Sequence, residues 1–197
     1  MSDPHYVESP STAEVVEQKS RFLAFLYPCP SVDAFKSLQE ALRRQHPQAN
    51  HHAFAYRVRE AGGALTARFS DDGEVAGTAG RPILAHLEGR DLVDVALFVV
   101  RYFGGIKLGS GGLARAYGAS VKAVLAASAI KRLRAFEEWT CVASYASKGQ
   151  FEHWARQHEV EILSCEFSEV VTFRARVFFE RREAFLDSLR GVARVER

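Results

Sequence analysis

The residues best placed to do chemistry lie in Arg101–Tyr117, RYFGGIKLGSGGLARAY. Five glycines, Gly104, Gly105, Gly109, Gly111 and Gly112, stand here between an apolar run, Val93–Val100, that reads as a buried strand and a stretch, Ala114–Ser128, that reads as a helix. Glycine suits places where the backbone takes positive φ or closely approaches another group. A strand, a glycine-rich turn and a helix N-terminus aim backbone N–H groups at one point, which attracts anions. Arg101, Lys107 and Arg115 flank that point, with Tyr102 beside them, and Ser110 is expected to cap the helix. The pattern is not a Walker A loop, because Ser110 stands where the lysine belongs. Gly109–Ala114 does satisfy G-x-G-x-x-A, but no acid follows Asp94 before Glu137 to hold a ribose. A nucleotide site and a tight, closely packed connection both remain open.

A second set combines carboxylates and imidazoles: His51, His52, Asp71, Asp72 and Glu74. Neighbours on a strand face opposite ways, so His51 and His52 cannot share one metal unless the strand is bulged. Either histidine can join the acids if its strand pairs with the one before Asp71. Asp71-Asp72-Gly73-Glu74 is a fragment of a calcium loop without the remaining ligands. These acids read as a solvated turn, as a group that holds the positive glycine loop, or as the metal holder or general base of a phosphate-directed hydrolase. No G-x-S-x-G elbow accompanies them in the sequence. Ser110 has the one conceivable oxyanion-type setting among the serines.

The rest of the chain bounds what these groups can do. A length of 197 residues allows one large domain or two small ones, and a net charge of +2 does not by itself argue for nucleic acid. Three cysteines, Cys29, Cys141 and Cys165, form no C-x-x-C pair, which fits a reduced, cytoplasmic chain in which they pack inertly. No apolar run is long enough for a membrane span, and the polar start lacks a signal-peptide core and reads as a frayed tail.

The positioning elements follow from periodicity. Ala13–Lys19 and Arg21–Pro28 read as strands about a turn at Ser20, the second able to bury both faces. Ser31 caps a helix with Val32, Phe35, Leu38, Ala41 and Leu42 inward, ended by His46-Pro47. His51–Val58 and Ala64–Ser70 form a hairpin about Glu60–Gly63. A helix from about Thr78 to Leu87 carries Pro82 in its first turn and stops at Gly89. The domain boundary falls in Lys131–Arg134, giving 1–131 and 132–197.

Beyond it, strand Phe136–Tyr145, a helix over Lys148–His158 capped by Ser147, strands Val160–Phe167 and Glu169–Phe179, helix Arg181–Leu189 and strand Val192–Glu196 make the order β-α-β-β-α-β of a ferredoxin-like domain. Thr172, Arg174 and Arg176 share one strand face, opposite Val171, Phe173, Ala175 and Val177. With Arg181 and Arg182 that face reads either as a phosphate contact or as a solvated sheet of mixed charge, since glutamates are interleaved and no aromatic pair stands out on it.

Several blocks taken together, Phe69–Glu74, Gly77–Gly80 with Pro82, Arg101–Gly109, Gly111–Leu113 and Arg115–Gly118, closely resemble the YigZ/IMPACT family, as does Asn50-His51-His52. Val75-Ala76 departs from the proline that relatives often place in that turn. The resemblance implies an α+β protein of two domains. The first would be an α/β fold like the second domain of a small-subunit ribosomal protein. The second would be ferredoxin-like, similar to a late domain of elongation factor G. The family's eukaryotic members look like translation regulators that bind a scaffold protein and hold back a starvation-responsive kinase, using an extra N-terminal domain. This chain resembles the short bacterial type, without that domain.

The resulting expectation is a non-catalytic cytoplasmic binding protein associated with translation, without cofactor or metal and not attached to a membrane. Its glycine-rich cleft would take phosphate of RNA or the ribosome, a nucleotide, or a carboxylate on a protein partner. The rival expectations are the hydrolase and a protein-interaction module whose glycine loop serves packing.

Overall fold

A computed structural model describes residues 4–60 and 64–196. In chain order it contains β1 His5–Val7, β2 Ser11–Glu17, β3 Ser20–Pro28, α1 Val32–Gln45, β4 His51–Arg59, β5 Leu65–Ser70, α2 Gly80–Glu88, β6 Val95–Tyr102, α3 Gly109–Ala126 and β7 Ile130–Arg132. There follow β8 Phe136–Ala143, α4 Lys148–Gln157, β9 Glu161–Phe167, β10 Val171–Phe178, α5 Arg182–Ser188 and β11 Ala193–Glu196. This is an α+β chain of antiparallel sheets and helices. It divides into two compact units, one ending at Leu133 and one beginning at Arg134.

In the first unit a five-stranded antiparallel sheet has the order β2-β3-β6-β4-β5. Its register sets Phe22, Arg101 and His51 in one row, with Ala24, Val99 and Ala53 in the next row of that face. Strand alternation therefore gives one face to Phe22, Ala24, Leu26, Ala53, Ala55, Leu97 and Val99, which α2 and α3 cover with Ile83, Leu87, Leu113, Tyr117 and Val121. The other face carries Tyr56, Val58, Ala96 and Phe98, covered by Phe35 and Leu42 of α1. The Phe35 and Phe98 rings stack 5.4 Å apart. Ser31 starts α1 as expected, accepting the Ala34 N–H at 3.1 Å. On β3 the expected two-sided burial is graded: Phe22, Ala24 and Leu26 are fully buried, whereas Leu23 and Phe25 are half-buried.

Several local expectations change. The start of the chain is not a frayed tail from His5 onward: β1 pairs with β7, the His5 N–H donates to the Asp91 carbonyl, and Val7 is buried. Pairing with β1 also keeps Ile130–Arg132 within the first unit. The apolar strand runs on through Arg101 and Tyr102 as β6. The run Gly109–Gly112 is the first turn of α3 rather than a loop before it, and Leu108, not Ser110, is its N-cap. The α2 helix begins at Gly80, and Gly89 ends it in ordinary right-handed geometry. Of the hairpin turn Glu60–Gly63, residues 61–63 lie outside the described residues; the Glu60 N–H donates to the Ala64 carbonyl.

The second unit runs β8-α4-β9-β10-α5-β11 with sheet order β11-β8-β10-β9, every pair antiparallel. Alternation along β10 buries Val171, Phe173, Ala175 and Val177, which meet Trp139 and Cys141 of β8 and Phe151 and Phe185 of the helices. The Phe151 and Phe173 rings stack at 4.1 Å. Ser147 makes no side-chain cap for α4; Ser144 instead accepts the Ser147 N–H and starts a short 3-10 turn, Tyr145–Ser147.

Candidate functional site

The end of β6 delivers Arg101 onto the face of the sheet that α3 covers, beside His51 on β4 and Phe22 on β3. A guanidinium there is 5% exposed, and burying it requires a counter-charge. Glu74 supplies it from the turn before α2: Arg101 Nη1 donates to Glu74 Oε2 at 2.5 Å. The Tyr117 hydroxyl, from the inner face of α3, donates to the same oxygen at 3.0 Å. Burial first, and then the Glu74 charge, push the Tyr117 phenol well above its ordinary pKa, so it stays a donor. His51 completes the group. Its Nδ1 meets the Asp72 carbonyl at 3.0 Å, an acceptor only, so Nδ1 carries the proton and Nε2 faces Glu74 Oε1 at 3.7 Å.

The connection from β6 to α3 is shaped by close approach. A Cβ on Gly104 would stand 2.0 Å from the Lys19 carbonyl carbon. The Gly104 N–H donates to Ser20 Oγ, and the Phe103 N–H to Asn50 Oδ1 at 2.8 Å. Gly105 and Gly109 take positive φ, +87° and +68°, with open space where a side chain would be. Leu108 offers α3 no side-chain cap, so helix geometry leaves the amides of Gly109, Ser110 and Gly111 without intrahelical acceptors.

Between this helix end and the Glu74 group lies a cavity of about 470 Å³. Its polar lining is Asn50, His51, Glu74, Arg101, Lys107 and Ser110, and its apolar lining includes Val75, Phe103, Leu108 and Leu113. Of the sequence-derived anion set, Arg101, Lys107, Gly109 and Ser110 line it together. The others do not. Tyr102 projects from the opposite sheet face, where its hydroxyl meets His46 Nδ1 at 2.9 Å. Gly104 and Gly105 shape the turn. Gly111 lies in the first turn of α3 without lining the cavity, and Gly112 and Arg115 line a separate hollow of about 250 Å³ beside Glu17 and Gln18.

The acids also divide. Asp71 accepts the N–H groups of Gly77, Ala79 and Gly80 at 2.8, 3.0 and 2.8 Å and so caps the start of α2. Asp72 binds Arg43 at 2.5 Å and the His52 N–H at 2.7 Å. His52 is buried on the α1 side of the sheet, and desolvation holds its pKa below the ordinary histidine value. Among the described residues no group of three or more His, Cys, Asp or Glu side chains is arranged for a metal. Burial pushes the Cys29 and Cys141 thiols up to about 11 and about 12, which suits packing rather than reactivity.

In the second unit the four candidate arginines are paired. Arg174 meets Glu138 at 3.1 Å, Arg176 meets Glu161 at 2.8 Å, Arg181 meets Glu159 at 3.4 Å, and Arg182 meets Glu137 at 3.7 Å. Two aromatic rings missed in the sequence, Phe136 and Phe178, share the Arg174–Arg176 face, and the guanidinium of Arg176 already covers Phe136. Phe103, Val75, Leu108 and Leu113 were missed at the cavity because apolar residues in a turn carry no chemical signal. Tyr117 was legible only as two helical turns after Gly109, on the face of Leu113.

The Impact N-terminal domain profile matches residues 18–125. The chain is 38% identical over 162 residues to the IMPACT family member YigZ of Escherichia coli (strain K12), covering 81% of this chain and 79% of that protein. It is 39% identical over 165 residues to an IMPACT family member of Thermus thermophilus, covering 81% and 85%. A crystal structure of a hypothetical protein aligns over 99% of this chain and 97% of its own, with TM-score 0.64 and 33% identity.

Proposed function

The chain belongs to the IMPACT family, and on that footing we propose that it is a non-catalytic, translation-associated protein whose cavity at the start of α3 receives an anionic group of RNA or the ribosome. The observation that carries this reading is the meeting of the exposed Lys107 and the uncapped amides of α3 at one cavity, while the buried cation there, Arg101, is already matched by Glu74. The net excess at the cavity is therefore positive, which favours an anion. A hydrolase is supported less well: Asp71 and Asp72 are committed to backbone amides and Arg43, and Glu74 Oε2 is shared by Arg101 and Tyr117.

On the same reading the first unit is the family's N-terminal domain, resembling the ribosomal-protein domain. The second is its ferredoxin-like partner, supported by its β-α-β-β-α-β order and antiparallel pairing. Free cysteines support a cytoplasmic setting. Co-sedimentation with ribosomal subunits and with structured RNA, in a salt series, tests the proposal. Binding that weakens with salt and is reduced by Lys107→Ala is expected; no binding at low salt, or binding indifferent to Lys107→Ala, rejects it.

A further inference from the structure

Resting on that anion-binding reading, we infer that the cavity selects a ribonucleoside monophosphate unit carrying a terminal phosphate, rather than an internal stretch of nucleic-acid backbone. Three chemistries meet there. The first is an excess of donors to an anion. Gly109 and Ser110, whose amides have no intrahelical acceptors, line the cavity together with Lys107 and Arg101. Arg101 is 5% exposed and lines the cavity, and among the described residues its Nη1 donates to Glu74 while its buried Nε has no partner. A phosphodiester offers two free oxygens and one charge. A terminal monoester offers three oxygens and up to two charges, which suits this donor set better.

The second is a buried acceptor. Glu74 lines the cavity, and among the described residues its Oε1 accepts no hydrogen bond, His51 Nε2 standing 3.7 Å away, so that oxygen is available to hydroxyl donors. A lone inorganic anion would gain nothing from it, whereas ribose hydroxyls would be held there. The third is a stacking surface. Phe103 lines the cavity but is 46% exposed, with the Arg101 guanidinium 5.6 Å from its ring centroid. That leaves ring surface to which a base can stack. The orientation of Asn50 is set by its Oδ1 accepting the Phe103 N–H, so its NH₂ group remains to read an acceptor on the base. About 470 Å³ holds one nucleotide and excludes a duplex end.

The same chemistry comes from two sources, a free nucleotide or the phosphorylated end of an RNA. Calorimetric titration of the full chain at low salt separates them, using AMP, dAMP, inorganic phosphate and RNA tetramers with a 5′-phosphate or a 5′-hydroxyl. AMP is expected to bind about tenfold tighter than dAMP, and the phosphorylated tetramer about tenfold tighter than the hydroxyl-ended one. Phe103→Ala is expected to weaken both favoured ligands about tenfold without lowering the melting temperature, because the ring is half exposed. Tighter binding of the phosphorylated tetramer than of AMP identifies an RNA end; equal binding identifies the nucleotide itself.

If AMP binds no tighter than dAMP while tetramers with either end bind alike, or if Phe103→Ala changes nothing, this inference fails and the broader RNA reading stands. If neither RNA nor nucleotide binds and a peptide with a free C-terminal carboxylate does, both fall.

Discussion

Arg101 and Glu74 form an ion pair at 2.5 Å in which each side chain is 6% exposed, and they come from sequence positions 27 residues apart. Such a pair holds the turn before α2 against β6, and its loss leaves one charge buried alone. Glu74→Ala or Arg101→Ala is expected to cost about 3–5 kcal/mol of unfolding free energy. Replacing both, Glu74→Leu with Arg101→Met, is expected to recover most of that. Urea denaturation of the four proteins checks it. Additive losses in the double variant would mean that the two side chains act independently.

The glycines of the β6–α3 connection differ in what they do. At Gly104 a methyl group would overlap the Lys19 carbonyl and the Ser20 nitrogen, at 2.0–2.3 Å, and neither backbone can retreat without parting the β2–β3 hairpin. At Gly109 there is room, and only the positive φ of +68° opposes a side chain. Gly109→Ala is therefore expected to cost about 1–2 kcal/mol, and Gly104→Ala distinctly more. Thermal melts of the two variants rank them, and equal melting temperatures would show that the hairpin yields.

That contrast also shows where reading the sequence succeeds. Val171, Phe173, Ala175 and Val177 alternate, and β10 buries those four residues, because a two-residue period is a local property of a strand. Ser31 and Asp33 mark the start of α1 for the same kind of local reason. Gly109–Gly112 misleads, because each glycine disfavours a helix by about 1 kcal/mol relative to alanine, yet the packing of Leu113, Ala116 and Tyr117 onto the sheet winds the helix back through them. Arg101 looks like a surface charge until Glu74 is known to lie beneath it. β1 has three residues, and its partner β7 lies more than 120 positions away, so nothing local announces it. At the candidate site, the sequence singles out Lys107 and the glycines, but neither the start of α3 nor the division between Arg101 and Arg115. That division depends on where the end of β6 and the side of α3 place each side chain.

His52 makes stability depend on pH. It is 6% exposed, its Nε2 has no partner among the described residues, and desolvation, followed by the Arg43 charge, holds its pKa below 6.5. The unfolded chain therefore binds a proton that the folded chain refuses. The stabilisation is complete above about pH 6.5 and is lost as pH falls from there towards the lowered folded value. Unfolding free energy measured by urea titration is expected to drop between pH 7.5 and 5.5, with a shallower drop in His52→Gln. An unchanged slope in that variant would assign the acid sensitivity to other groups.

Lys107 and Arg115 stand eight residues apart, and as sequence they look like equal partners of one anion. In the structure Lys107 lines the cavity at the start of α3, whereas Arg115 lines the hollow beside Glu17 and Gln18, close to the carbons of its own helix at Gly111. Of the two, Lys107 is the one that lines the same cavity as Gly109 and Ser110, where the proposed anion would sit. In a salt series with structured RNA, Lys107→Ala is expected to lower affinity and to flatten the slope of log K against log salt by about 1. Arg115→Ala, a change of the same charge, is expected to leave both affinity and slope within error of the unsubstituted chain. Equal losses from the two substitutions would place the anion across the whole helix end, in contact with both hollows, and would remove the cavity from the account.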